Sequence, residues 1–75
     1  MHLTHKETEV VDLILEGMTY KEISSALNLS INTIKTYINN ISGKRHITGS
    51  NRLLKITIDE FRRRKFANTM ENIAI

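Results

Sequence analysis

The chain has 75 residues, a formal net charge of +3, and no cysteine, proline or tryptophan. This length allows one small domain, whose core is near the lower limit for independent stability. The lack of cysteine excludes disulfides, thiol catalysis and cysteine-based zinc sites, and no apolar run reaches the roughly 18 residues of a membrane span. The first six residues have no apolar signal segment. We therefore expect a small cytoplasmic protein that begins at its own Met1 and has no room for a second domain.

Charge is distributed unevenly along the chain. Residues 1–30 carry a net charge of −3, residues 31–65 carry +7, and residues 66–75 carry −1. A basic half favours a polyanionic partner such as nucleic acid, although a solvated charged surface would have the same composition. The choice between these two interpretations depends on the motifs.

Two capping boxes predict the first two helices. Residues 4–7 (THKE) and 19–22 (TYKE) both fit the pattern S/T-x-x-E, in which threonine and glutamate each accept a hydrogen bond from the other residue's amide. Apolar residues recur at helical spacing after each box, and Gly17 is suited to end the first helix. We predict helix 1 over about 5–16 and helix 2 over about 20–27.

Two further helices follow in the basic half. Helix 3 is predicted over about 31–44, because Ser30 is a favourable N-cap and isoleucines then recur at helical spacing. Its other face is polar without being acidic. After a connection rich in turn residues, helix 4 is predicted over about 51–64, and the tail 66–75 can extend it. Nothing alternates with a period of two, so the predicted fold is all-α.

Helices 2 and 3 are joined by three residues, which is the spacing of a helix-turn-helix. In that motif the second helix reads base edges in the DNA major groove. An ordinary helical hairpin would show the same spacing. The polar face of helix 3 favours DNA, because Lys35 can pair with guanine O6 and N7, and Asn39 with adenine N6 and N7.

Three ordered segments resemble the LuxR/FixJ/GerE-type helix-turn-helix DNA-binding domain. Residues 3–11 (LTHKETEVV) resemble that family's LTxREXEVL, residues 17–24 (GMTYKEIS) resemble GxSxKEIA, and residues 27–41 (LNLSINTIKTYINNI) resemble LxISxxTVKxHxxNI. Arg52 is similar to the Arg that opens the family's fourth helix. The resemblance implies a four-helix DNA-binding domain, here over residues 1–65, followed by the C-terminal tail.

The resemblance also implies three sets of functional residues. The base-contacting residues would be Lys35, Thr36 and Asn39. The residues at the DNA backbone would be Thr19, Tyr20, Lys21, Ser30, Thr33, Lys44 and Arg45. The residues that pair two protomers through helix 4 would be Leu54, Ile58 and Phe61.

Three departures from the family pattern are visible. Tyr37 stands where the family usually has His, and we expect it to lie partly in the core. Residues 44–47 (KRHI) replace the usual KLGV. Four residues rather than two separate Ile47 from Arg52, so the connection between helices 3 and 4 is longer than the family standard.

The end of helix 4 carries four consecutive cations at residues 62–65. They suit the solvated C-terminal end of a helix, where cations complement the dipole, or an additional contact to phosphate. Phe66, Met70 and Ile73 then recur at helical spacing in the tail. This apolar stripe is suited to pack on its own domain or on a second protomer.

We therefore expect a sequence-specific DNA-binding transcription regulator without a sensor domain, acting as a homodimer with helix 3 in the major groove. We expect no enzyme, metal site or cofactor, because glycine-rich phosphate loops and apolar carboxylate pairs are absent from the sequence. The tail stripe motivates an alternative, a small co-regulator or anti-activator that binds a larger regulator or RNA polymerase. A fragment of sigma-factor region 4 is a third alternative, which the motif at 17–23 disfavours. The abundance of Ile and Asn, whose codons are AT-rich, indicates a bacterial, phage or mobile-element source.

Overall fold

The computed structural model describes the backbone of residues 2–74 and the side chains of residues 2–65. Over these residues the chain forms four α-helices and no strand, which confirms the predicted all-α fold. The helices are α1 (His5–Leu15), α2 (Tyr20–Leu27), α3 (Ile31–Lys44) and α4 (Arg52–Ala74). None of the described helices is both long enough and apolar enough to cross a membrane. The packing expected of Phe66, Met70 and Ile73 lies outside the described side chains.

Side-chain caps fix the starts of the first three helices. Thr4 Oγ1 accepts from the Glu7 amide at 3.1 Å, and the Thr4 amide donates to Glu7 Oε1 at 2.7 Å. The predicted second capping box at the start of α2 has the same pair of bonds. At α3, Ser30 Oγ accepts from the Thr33 amide at 3.1 Å. Each cap of this kind contributes about 1 kcal/mol, so the sequence determines these helix starts locally.

The core lies where α1, α2, α3 and the first turns of α4 meet. Its buried members are branched aliphatic residues: Val10, Val11, Ile14, Ile23, Ile34, Ile38, Ile41 and Ile56. Tyr37 packs half-buried at the edge of this cluster, as predicted. Among the described side chains of α4, Ile56 is buried, whereas Leu54, Ile58 and Phe61, whose spacing predicted that helix, are 58%, 41% and 63% exposed. The apolar residues of α4 therefore divide between two faces.

The long connection between α3 and α4 is an ordered part of the domain. His46, Gly49 and Asn51 all have left-handed backbone conformations, with φ of 57°, 85° and 56°. The Ile47 amide donates to the Ser42 carbonyl at 2.9 Å, and the Ile47 side chain packs against the core. These contacts attach the connection to the end of α3 and to the core.

An ion-pair network holds α4 against α1 and against the end of α3. Its members are Asp12, Arg45, Asp59, Glu60, Arg63 and Arg64. Arg45 Nη1 lies 3.2 Å from Asp59 Oδ2 and 2.8 Å from Glu60 Oε2. Arg64 Nη2 lies 3.0 Å from Asp12 Oδ1. The cations at 62–65 were expected near the C-terminal end of the helix, but α4 continues to Ala74. Two of them, Arg63 and Arg64, form ion pairs in the network.

Candidate nucleic-acid interface

The turn between α2 and α3 is closed by hydrogen bonds from its own residues. Asn28 ends α2 in a left-handed conformation, with φ of 55° and ψ of 44°. The Leu29 amide donates to the Ser24 carbonyl at 3.0 Å, and Ser24 Oγ donates back to the Leu29 carbonyl. These bonds close the turn, and α2 packs on α3 to make a two-helix unit.

One face of α3 is exposed and carries the three residues expected to contact bases. Lys35, Thr36 and Asn39 are all exposed, whereas Ile34 and Ile38 on the opposite face are buried. Lys35 and Asn39 are one helical turn apart, so their side chains lie side by side on the surface. The structure therefore brings the predicted base-contacting residues together.

The start of α2 provides the first group of residues expected at the DNA backbone. Lys21 is exposed, and Tyr20 packs half-buried against the core. The Thr19 amide donates to Glu22 Oε1 at 3.0 Å, and the Thr19 amide and hydroxyl lower the pKa of the Glu22 carboxyl. The amides of Tyr20 and Lys21 lie in the first turn of α2 and have no intrahelical acceptor. They therefore remain free at the positive end of the helix dipole. A phosphate there would be bound by these amides and by Lys21.

Ser30 and Thr33 form a second polar group at the start of α3. Their hydroxyl oxygens lie 2.9 Å apart, and Ser30 Oγ also accepts from the Thr33 amide. Ser30 is the N-cap of α3 and Thr33 lies in its first turn, so both precede Lys35 and Thr36. The two hydroxyls therefore border the exposed face of α3 on its N-terminal side.

Lys44 and Arg45, the other two residues expected at the DNA backbone, contact carboxylates within the domain. Lys44 Nζ lies 2.6 Å from Oε1 of Glu7, and Arg45 is bound by the ion-pair network. These partners are 37 residues and 14 or 15 residues away in the sequence. No local spacing could have indicated them, because they depend on how the helices pack.

Sequence reasoning used Arg52 only to mark the start of helix 4, but the structure brings it to the exposed face of α3. Arg52 Nη1 donates to Oδ1 of Asn39, and its Nε lies 3.4 Å from the Gly49 carbonyl oxygen. The two side chains meet although 13 residues separate them in the sequence. Arg52 thus belongs to the candidate interface, although no motif in the sequence indicated that role for it.

The cations that follow α1 divide into two groups. Lys44, Arg45, Arg63 and Arg64 form ion pairs with carboxylates of the domain. Among the residues whose side chains are described, Lys21, Lys35, Arg52, Lys55 and Arg62 form no ion pair. Two of these five lie on α2 and α3, and Arg52 contacts α3 directly. The positive charge that remains available to bind a polyanion therefore lies partly on the helix-turn-helix.

The three residues expected at a protomer interface lie on an exposed face of α4. Leu54, Ile58 and Phe61 recur at helical spacing on the side away from Ile56. They are the large apolar side chains of α4 that remain exposed among the described residues. A surface of this kind is typical of a contact with another protein.

Comparisons with known proteins agree with this geometry. The family model described as "Bacterial regulatory proteins, luxR family" matches residues 1–55. The probable transcriptional regulator ycf29 of Pyropia yezoensis is 32% identical over 59 residues, which are 79% of this chain and 27% of that protein. The transcriptional regulatory protein LiaR of Bacillus subtilis is 50% identical over 42 residues, which are 56% of this chain and 20% of that protein.

A third relative, the monoamine regulon transcriptional regulator of Klebsiella aerogenes, is 36% identical over 55 residues, 73% of this chain and 24% of that protein. The chain thus spans between 20% and 27% of the length of these three relatives. No solved structure matches it significantly. The family is one of DNA-binding transcription regulators and not of enzymes. Because the family model covers 55 of the 75 residues, including the whole α2-turn-α3 unit, the chain belongs to the luxR family of bacterial regulatory proteins.

Proposed function

We propose that this protein is a sequence-specific transcription regulator that binds duplex DNA as a homodimer, with α3 in the major groove. The observation that carries the proposal is the exposed face of α3, which presents Lys35, Thr36 and Asn39 and no acidic side chain. A groove about 12 Å wide admits one helix, and these side chain types match the hydrogen-bonding edges of purines. Genomic DNA as the partner places the protein in the bacterial cytoplasm.

Backbone contacts would come from both helix starts that border this face. Lys21 and the free amides of α2 would bind one phosphate, and the hydroxyls of Ser30 and Thr33 would bind another. Such contacts set the register of α3 in the groove without carrying sequence information. Lys44 and Arg45 would contribute mainly by holding the helices together, because their charges already have carboxylate partners.

The homodimer would form through the exposed face of α4. Leu54, Ile58 and Phe61 from each copy would meet across a two-fold axis, which satisfies the self-complementarity that such an interface requires. Two α3 helices would then enter successive turns of the major groove, with half-sites about 10 base pairs apart.

Selection from a pool of random duplexes, followed by footprinting, tests this proposal. The expected result is a family of sites with two related half-sites about one helical turn apart, both protected on the same face of the DNA. Recovery of unrelated sequences, or protection without sequence preference, would contradict it.

The same exposed face of α4 favours a second candidate, in which the partner is a larger regulator or RNA polymerase. Sedimentation of the purified full chain with its selected duplex separates the two candidates. Two copies on each duplex support the homodimer. A single copy on DNA, together with loss of regulation in cells carrying Ile58→Glu, supports the second candidate.

A further inference from the structure

Arg52 connects the start of α4 to the exposed face of α3. Its Nη1 donates to Oδ1 of Asn39, while its Nε lies within reach of the Gly49 carbonyl oxygen at 3.4 Å. The preceding Asn51 has a left-handed conformation that ends the connection and begins the helix. The guanidinium is therefore held by the α3–α4 connection while it contacts a residue expected to read a base.

The chemistry of this contact determines how the Asn39 amide is turned. A guanidinium has only donors, so it can bond to the amide oxygen and not to the amide nitrogen. The oxygen and nitrogen of the amide lie on opposite branches of a planar group. When Arg52 binds the oxygen, the NH₂ group therefore points away from α4. An amide held in this way offers hydrogen-bond donors to an approaching ligand.

We propose that Arg52 is a positioning residue that sets the base preference of Asn39; this inference rests on the proposed function. Asparagine pairs with adenine through both amide atoms, because its oxygen accepts from N6 and its nitrogen donates to N7. Guanine presents two acceptors, O6 and N7, to the major groove. With its oxygen engaged by Arg52, Asn39 favours guanine over adenine. Without Arg52 the amide turns freely, and the two-bond pairing with adenine becomes available.

Two other roles for Arg52 predict different results. A phosphate contact would make Arg52→Ala weaken binding to all duplexes equally and reduce the salt dependence by about one unit of slope. A purely structural contact would lower the melting temperature and leave the relative affinities of the duplexes unchanged. Only a positioning role changes the preference at one base pair in each half-site.

The test uses the full chain and four variants, Arg52→Ala, Arg52→Lys, Asn39→Ala and the control Arg62→Ala. Arg62 is a suitable control because it lies on the same helix and forms no ion pair among the described residues. Each protein is titrated by fluorescence anisotropy with the duplex selected from the random pool and with its single-base variants. The base pair that Asn39 reads is the one at which Asn39→Ala loses its preference.

At that base pair, Arg52→Ala should move the guanine-over-adenine affinity ratio about tenfold towards adenine, the effect of one net hydrogen bond. Arg52→Lys should keep most of the guanine preference, because the ammonium also only donates. Arg62→Ala should leave the ratio unchanged. An equal loss on all duplexes with Arg52→Ala would overturn the inference while leaving the proposed function intact.

A double-variant cycle keeps the inference falsifiable if Arg52→Ala is poorly folded. Arg52→Met keeps an aliphatic stem but removes every donor. Binding of Arg52→Met, Asn39→Ala and the double variant to the guanine duplex should be coupled by about threefold or more. Strict additivity would contradict the positioning role. If the unaltered chain shows no sequence preference at all, the proposed function fails, which is distinct from a failure confined to the Arg52 variants.

Discussion

Lys44, the last residue of α3, places its Nζ 2.6 Å from Oε1 of Glu7, in the first turn of α1. The Glu7 side chain is only 4% exposed, and the same oxygen accepts from the Thr4 amide. Burial disfavours the carboxylate, but the hydrogen bonds from Lys44 and Thr4 outweigh it and lower the pKa of Glu7. Glu7 therefore caps α1 and joins α1 to α3 with one carboxylate.

Removing the lysine should destabilise the domain strongly. Lys44→Met leaves the Glu7 carboxylate buried without its counter-charge, and we expect the free energy of unfolding to fall on the order of 3 kcal/mol. Urea denaturation followed by circular dichroism measures this change. Glu7→Gln is the matched comparison and should cost less, because Lys44 is 20% exposed and can turn towards water. A cost for Lys44→Met below that of Glu7→Gln would contradict this account.

The lowered pKa of Glu7 also predicts an acid dependence of stability. The carboxylate contributes its full stabilisation above its ordinary pKa of 4.5 and loses it as the pH falls through the lowered value. The difference in unfolding free energy between the unaltered chain and Glu7→Gln should be constant from about pH 6 to 8 and shrink below about pH 4.5. Denaturant titrations across this pH range measure it. A difference that does not change in acid would show that Glu7 does not act through its charge.

The division of the cations predicts different roles for Lys21 and Arg45. Lys21→Ala should weaken binding by a similar factor on every duplex and reduce the slope of log K against log salt by about one, as loss of one phosphate contact does. Arg45→Ala should lower thermal stability, because it opens the ion-pair network, but keep the salt slope. Anisotropy titrations at four salt concentrations and thermal melts give both readouts. The reverse pattern would place Arg45, and not Lys21, on the DNA.

The exposed face of α4 predicts a specific loss of dimerisation. Phe61 is 63% exposed, and burial of such a side chain contributes about 2 kcal/mol in each of two copies. Phe61→Glu should therefore raise the dimer dissociation constant by about 100-fold or more without unfolding the domain. Sedimentation equilibrium measures the constant, and Arg62→Ala is the neighbouring control. Unchanged association of Phe61→Glu would exclude this face as the interface.

Local signals in the sequence predicted the helices and much of the candidate interface. The threonine–glutamate capping boxes act over three residues, and the exposed positions of Lys35, Thr36 and Asn39 follow from helical periodicity. The remaining features depend on where α4 crosses the other helices. Burial of Ile56 instead of Leu54 is one example, because both are apolar residues of the same turn. The contact of Arg52 with Asn39 is another, since it joins two helices across the α3–α4 connection.

In the proposed function, the exposed face of α3 reads the DNA sequence. The most direct test is the affinity of the Lys35→Ala/Asn39→Ala double variant for the selected duplex, measured by anisotropy beside the unaltered chain and the charge-matched control Lys6→Ala. We expect the double variant to lose about 100-fold or more and to bind the selected and scrambled duplexes equally, because each base contact contributes about 1–3 kcal/mol of discrimination. Lys6→Ala should bind as the unaltered chain does. A double variant that still prefers the selected duplex as strongly as the unaltered chain would contradict the claim.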